Sequence, residues 1–391
     1  MSDLASLTLF PATPEQTLVS RNRTHVQWSR GRPLDEYLER DRVLDHHEHA
    51  SDGKLITWVL APRDDPTTQN FKCSCETFTR SGVLYNPKSA QLEDVICYGI
   101  ASVFTPVEHR KQGYATHMMA MLHWVLAKDE FLPESDLFPA AWGSPPPRAA
   151  LAGQGHFSAL WSDVGPNLYR RCSPLPGQEG WVVRSPSSTI WKSVDLSKQE
   201  LPSSSTEQWE WLGESKANSL WRDDALQMKE EILADAQASK KIATVSFLPD
   251  NGVAAFQNRR ADFYTKQAAH QDLAWGVAEV GSSPAGTYAT WTLDAGKSVK
   301  TLIITRIRAT PRTFGLLLSK VLEAASKSNV EEIHVWSLPP QLASIATELG
   351  GTTKARDSSL PSIKCYFADN ADVEWDFVEK CVVHRVIKHS N

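Results

Sequence analysis

The sequence predicts an α/β (α+β) chain of two similar units, and three features predict it. Residues 95–104, Val-Ile-Cys-Tyr-Gly-Ile-Ala-Ser-Val-Phe, form a β-branched and aromatic run that passes through a proline turn into a helix-periodic stretch. The same order recurs at Thr301-Leu-Ile-Ile-Thr-Arg-Ile-Arg, followed by Ala309-Thr310-Pro311 and a stripe of Phe314, Leu317, Leu318, Val321 and Leu322. Between them the composition shifts to serine and proline, with Arg-Ser-Pro-Ser-Ser-Thr and then Leu-Pro-Ser-Ser-Ser-Thr-Glu, which places a boundary near Ser203 and units at 1–202 and 203–391.

In chain order, Ser6–Phe10 reads as a strand. Thr13-Pro14-Glu15 then supplies an N-cap and a first-turn proline for a helix to Trp28. A second helix is expected over Pro33–His47, with Leu34, Tyr37, Leu38 and Leu44 near one face. Strands follow at Leu55–Leu60, Phe71–Arg80 and Val95–Phe104. A helix starting near Lys111 carries Tyr114, Met118, Leu122 and Val125 on a sheet-facing stripe. Lys128 to Gly155 is long for a connection, so Phe131–Arg148 reads as an insertion: a lid, a substrate wall or a surface excursion. A strand at His156–Asp163 and a short helix come next, and Gly180–Val194 could close the first unit. The second unit begins with a helical stretch, Glu207–Lys240, and ends with Glu332–Ser337 and Pro339–Leu349 as strand and helix.

The chain has 391 residues, 41% hydrophobic and 22% charged, an ordinary globular balance long enough for two cores. A net charge of −5 argues against nucleic acid or an acidic membrane as the main partner, so any anion site must be local. Six cysteines (Cys73, Cys75, Cys97, Cys172, Cys365, Cys381) make no disulfide framework in so long a chain. The Met-Ser-Asp-Leu start lacks the pattern of a signal peptide, no apolar run reaches membrane-span length, and the terminal His-Ser-Asn is no peroxisomal address. The expected setting is reduced and cytoplasmic.

Arg110-Lys111-Gln112-Gly113-Tyr114-Ala115, at the joint between strand and helix, is an anion cradle. Glycine lets backbone approach a ligand, and the N–H groups of a first helical turn suit a pyrophosphate. With Val103-Phe104-Thr105-Pro106 before it, this block resembles the acyl-CoA-binding motif of the GNAT acetyltransferase superfamily, (Arg/Gln)-x-x-Gly-x-(Gly/Ala). Ser162-Asp163-Val164-Gly165-Pro166-Asn167-Leu168-Tyr169 resembles its Asn-x-x-Ala-x-x-x-Tyr segment, with Ser162 in the Asn place, Gly165 in the Ala place and the Tyr spacing kept. The resemblance implies a GNAT fold with a mixed central sheet and a second, degenerate GNAT-like unit whose turn, Ala309 to Gly315, lacks the cradle. It also implies acetyl-CoA as cosubstrate, held by Val103, Phe104, Thr105, Arg110, Lys111, Gln112, Gly113, Tyr114, Ala115, Thr116, Ser162 and Tyr169. Its arm would lie where Ser102–Thr105 splays from Leu160–Asp163, with the N–H near Phe104 facing the thioester oxygen and Tyr169 protonating the sulfur.

An attacking amine must first lose a proton, so a pocket carboxylate is needed, as base or as ammonium anchor. Glu76, in Cys73-Ser-Cys-Glu-Thr-Phe, is the candidate for either role, Asp163 is a second, and Trp275 is a candidate tunnel wall. The run Asp45-His46-His47-Glu48-His49 reads as a solvated polar stretch, and Cys73-x-Cys75 as structural thiols, so no metal is expected. Ser74-Cys-Glu-Thr-Phe, Ile100 to Arg110, Trp142-Gly-Ser-Pro-Pro and Leu160 to Gly165 together resemble the fungal lysine N6-acetyltransferases. His109 and Lys111 stand where those relatives tend to have an aromatic residue and glycine. That likeness implies acetylation of free L-lysine in its catabolism. The alternatives are another amine, such as a polyamine or a peptide lysine, and a CoA-binding scaffold without catalysis.

Overall fold

The computed structural model describes residues 4–202, 208–239, 242–269, 274–281, 286–294 and 299–380; Cys381 and the expected boundary at Ser203 lie outside them. After strand β1 (Leu7–Pro11), helix α1 (Pro14–Trp28) starts where the sequence places it. Thr13 accepts from the Gln16 N–H at 3.2 Å while the Gln16 side chain accepts from the Thr13 N–H at 3.0 Å, a reciprocal cap. Helix α2 (Leu34–Asp45), strands β2 (Leu55–Pro62), β3 (Cys73–Asn86) and β4 (Gln91–Phe104), helix α3 (Tyr114–Leu126), strand β5 (Gly155–Ser162), the single turn α4 (Asn167–Arg170) and strand β6 (Val182–Val183) follow. The β3–β4 hairpin runs much further than the sequence suggests, through Ser81 to Asp94. Its distal end looks like a polar loop but is covered by elements far away in the chain: Val83 and Tyr85 pack with Ala225, Met228 and Ile232.

The chain then crosses into a second sheet with strand β7 (Ser187–Lys192), continuing through α5 (Ser193–Leu196), β8 (Trp209–Leu212), α6 (Glu214–Ser239), β9 (Ala243–Phe247), α7 (Ala255–Ala269), β10 (Gly276–Glu279), β11 (Tyr288–Asp294), β12 (Thr301–Arg308), α8 (Pro311–Lys327), β13 (Glu332–Trp336), α9 (Ala343–Glu348), β14 (Thr352–Ala355), β15 (Leu360–Cys365) and β16 (Val373–Trp375). Both sheets are mixed. The first has the order β1-β2-β3-β4-β5-β15-β6, with β9 on the far end of β3 and β16 beside β9; the second is β14-β7-β13-β12-β11-β10-β8. β4 and β5 are parallel in one, β12 and β13 in the other, so the repeat read from the sequence is a repeat of architecture.

The two sheets do not divide at one point in the chain. The crossover falls between Val183 and Ser187, so β7 serves the second sheet, while β9, β15 and β16 return to complete the first. Trp375 on β16 meets Trp161 edge-on and packs tilted against Phe247, which fastens that return. The buried Arg306 bonds Asp224 at 2.7 Å and Glu379 at 2.6 Å, which ties the last described residues to the second sheet.

The insertion packs along α3, from Trp142 against His117 in the first turn to contacts at its last turn. Phe138 meets Trp124 edge-on at 4.9 Å, and Arg148 donates to the carbonyls of Trp124 (2.5 Å) and Ala127 (3.0 Å). Helix α3 is consequently buried on every side from His117 to Leu126, more than its one predicted stripe requires.

A fragment of residues 1–202 lacks β9, β15 and β16 of the first sheet. We expect it to be insoluble or unfolded, with neither cooperative urea unfolding nor native circular dichroism, whereas the full chain shows both.

Candidate functional site

The turn after β4 is built by its own side chains. Arg110 Nε donates to the Thr105 carbonyl at 3.1 Å, and Gln112 Nε2 donates to that of Glu108 at 3.0 Å. Lys111 (φ 60°) and Gly113 (φ 84°) are left-handed, so the right-handed helix cannot include them. It begins at Tyr114, three residues later than the sequence suggests. Gly113 is the N-cap and offers no capping side chain, and the first intrahelical bond runs from the His117 N–H to Gly113 O at 2.9 Å. The N–H groups of Tyr114, Ala115 and Thr116 therefore lie at an open helix end.

The corresponding helix of the second unit is sealed. Thr310 accepts from the Thr313 N–H at 3.2 Å, Thr313 returns the bond, and Pro311 has no N–H to offer. This is the physical form of the missing cradle at Ala309 to Gly315.

Upstream of the open end, β4 carries a bulge. Ser74 pairs with Phe104 but Glu76 with Ala101, so Ser102 and Val103 together oppose Cys75. Ser102 takes up φ 54°, and its hydroxyl donates to Glu76 Oε2 at 2.5 Å. Parallel pairing of β4 to β5 ends at Gly99 with Ala159, although both strands continue; β5 stays paired to β15 as far as Ser162 with Leu360. The two central strands thus part at the bulge.

The two faces of the sheet around this parting differ. On one, Cys73, Cys75, Tyr114 and Met118 form a cluster to which Val103 and Tyr169 are added. Burial raises the pKa of the Tyr169 phenol, with Cys172, Asp163 and Cys75 adding to it, so it stays protonated. On the other face Glu76 lines a pocket with Arg21, Asp41, Leu44, Asp45, His49, Leu55, Phe78, Ala101 and Phe256. Arg21 pairs with Asp45 at 2.7 Å, and Arg40 with Asp41 at 2.5 Å. Burial opposes the charge on Arg21, but the carboxylates of Glu76, Asp45 and Asp41 outweigh it and raise its pKa. Burial raises that of Asp45 in spite of Arg21.

Of the candidates read from the sequence, Glu76 lies in this pocket and Tyr169 lies across the sheet from it. Asp163 and Trp275 are not among the residues that line it. The Asp163 carboxylate receives the N–H of Ser359 at 2.7 Å and its hydroxyl at 3.2 Å, so it braces the entry to β15. Trp275 is 3% exposed, donates to Asp262 at 3.0 Å and stacks on Trp221; it is core. The Ser162 hydroxyl bonds within its own turn, to Gly165 O at 2.7 Å. His49 and Phe256 are pocket residues that sequence reasoning passed over. His49 belongs to the run read as solvated, and Phe256 arrives from the second half because β9 docks on β3 just ahead of α7.

Residues 193–384 match the family described as LYC1 GNAT-like C-terminal domain. Among solved structures, a conserved protein of unknown function from Enterococcus faecalis V583, titled a probable N-acyltransferase, superposes with a TM-score of 0.53 at 12% identity, covering 92% of this chain and 73% of that one. The matched family covers a little under half of the chain, and the fold is GNAT-like. A GCN5-related N-acetyltransferase from Kribbella flavida gives a TM-score of 0.48 at 12% identity, over 92% and 72% of the two chains. A curated relative from Yarrowia lipolytica, named lysine acetyltransferase, is 27% identical over 153 residues, which is 39% of this chain and about a third (36%) of the relative.

Burial holds three histidines of this first half neutral: His49 down to about 2, His123 to about 3 and His117 to about 4. In the unfolded chain each takes up a proton near 6.5, so their contribution to stability is complete above that pH and is lost as the pH falls below it. Each accounts for about 1.4 kcal/mol between pH 7.5 and 5.5. Urea unfolding at the two pH values checks this: in His117→Gln the loss of stability on acidification should be smaller than in the parent by about that amount.

Proposed function

We propose that this chain, of GNAT-like fold, transfers the acetyl group of acetyl-CoA to the ε-amine of free L-lysine by direct attack in a ternary complex. The observation that carries the reading is the conjunction at the β4 bulge: an uncapped helix end at Gly113, two central strands that part beside it, a carboxylate pocket on one face and a protonated phenol on the other. The name of the Yarrowia lipolytica relative supports the choice of amine, and five buried free thiols suit a reducing, cytoplasmic setting for lysine catabolism.

Acetyl-CoA supplies an activated acyl carbon and a thiolate leaving group. The residues present fit it. The N–H groups after Gly113, with Arg110, Lys111, Gln112 and Thr116 around the exposed turn, face a diphosphate with positive charge and donors. Val103, Phe104 and Thr105 offer the strand edge that β5 has left, and a backbone N–H there polarises the thioester carbonyl. Ser162 contributes only if it gives up its turn. On the pocket face Glu76 receives the amine and, directly or through water, its proton. From the opposite face Tyr169 returns a proton to sulfur as charge develops. The second half closes the amine side through Phe256, which favours a small acceptor over a lysine on a protein surface. Incubation with a panel of amines, following free thiol and product mass, tests the reaction: free lysine should be the best acceptor, and a preference for polyamine or peptide would replace it.

Two substitutions separate the roles. A side chain at Gly113 meets nothing nearer than Leu4 Cδ1 at 3.9 Å, so Gly113→Val should fold, less stable by about 1–2 kcal/mol for the left-handed backbone. It should lose most of its acetyl-CoA affinity in calorimetry, because the branched side chain stands over the helix end. Tyr169→Phe should lower kcat about 10- to 100-fold with little change in the KM for the amine; an unaltered kcat where chemistry limits the rate would reduce Tyr169 to packing.

A further inference from the structure

The pocket beside Glu76 is lined by two residues with a buried side-chain nitrogen that has no hydrogen-bond partner among the described residues. His49 is 1% exposed, wedged between Phe256 (ring centroids 4.7 Å apart) and Phe78 (6.1 Å), and its Nδ1 has no hydrogen-bond partner among the described residues. It cannot retreat. The turn before α7 presses on its backbone so closely that a Cβ at Gly252 would come within 2.7 Å of the His49 nitrogen. Arg21 has a side chain 13% exposed; its Nη2 is engaged by Asp45, while its buried Nε–H has no acceptor among the described residues. A buried polar atom left unpaired costs about 1–3 kcal/mol, so two on residues lining one small pocket point to a ligand group that completes them.

The chemistry of that atom follows from the pair. A guanidinium Nε–H can only donate, and an uncharged imidazole can carry its proton on Nδ1 and donate as well. One acceptor group with two oxygens satisfies both. The remaining charges favour a ligand that is cationic elsewhere: Asp41 is paired with Arg40, Arg21 is shared between Asp45 and the field of Glu76, and Glu76, which accepts from Ser102, makes no salt bridge among the described residues.

We propose that the acceptor substrate bears a carboxylate, held by His49 Nδ1–H and Arg21 Nε–H, so that the pocket selects an amino acid with a terminal amine over a diamine of the same length. This rests on the amine-acetylation reading above and sharpens it, assigning Arg21 and His49 to specificity and Glu76 to the reacting amine.

The test compares L-lysine with 1,5-diaminopentane, which is lysine without its carboxylate, on the full chain. The expected result is a kcat/KM at least about 30-fold lower for the diamine, matched by weaker binding in calorimetry. In His49→Phe, which keeps the stacking on Phe256 and removes the donor, the gap should shrink to within about 3-fold, mostly through a higher KM for lysine. Arg21→Gln provides the same comparison if His49→Phe does not fold. Equal use of the two amines by the parent chain overturns the proposal, as does an undiminished gap in a folded variant. Should neither amine be acetylated, the reaction itself is wrong and calorimetry decides alone: binding of lysine but not of the diamine upholds the carboxylate site, while equal binding or none removes it.

Discussion

The arrangement of this protein depends on how β5 divides its hydrogen bonds. Along one edge it is paired to β15 from Phe157 to Ser162; along the other it holds β4 only as far as Ala159. Because β15 fixes the outer edge, β5 cannot follow β4 where the bulge at Ser102 and Val103 turns it away. The gap between them is therefore a property of the fold and does not wait for a ligand to open it. In the proposed reaction the open end of α3, the phenol of Tyr169 and the carboxylate of Glu76 act together because they flank that gap.

The bulge also links the two faces. A serine at φ 54° is uncommon, and a short polar side chain that bonds locally makes it tolerable. The partner Ser102 bonds is Glu76, so the residue that breaks the ladder also orients the pocket carboxylate. Backbone geometry and side-chain chemistry are set by one contact.

Much of the first unit was legible in the sequence because its signals are local. Thr13-Pro14 caps α1, the β-branched run ends at Phe104, and Gly113 stands at a helix start; each needs only its neighbours. The long hairpin at 81–94 was not legible, since its polar tip is strand only when β9 and α6 lie against it. Asp163 and Trp275 show the converse case. A carboxylate at a strand end and a tryptophan beside a glycine invite functional readings, yet one braces Ser359 and the other fills core, and their partners are distant in sequence. His49 was hidden among polar neighbours because only the approach of α7 buries it. The boundary near Ser203 followed composition, which marks a linker but cannot report that strands beyond it return.

The return of β15 bears on how the protein is made. β5 leaves the ribosome roughly 200 residues ahead of β15, which at ordinary synthesis rates is a delay of about 10–40 s. Throughout that interval a buried-type strand, Gly155–Ser162, presents an unpaired edge that could capture another nascent chain. The first unit thus cannot mature in the order of its synthesis, and its yield in a cell should depend on chaperones that bind exposed strand edges and on slow release from them.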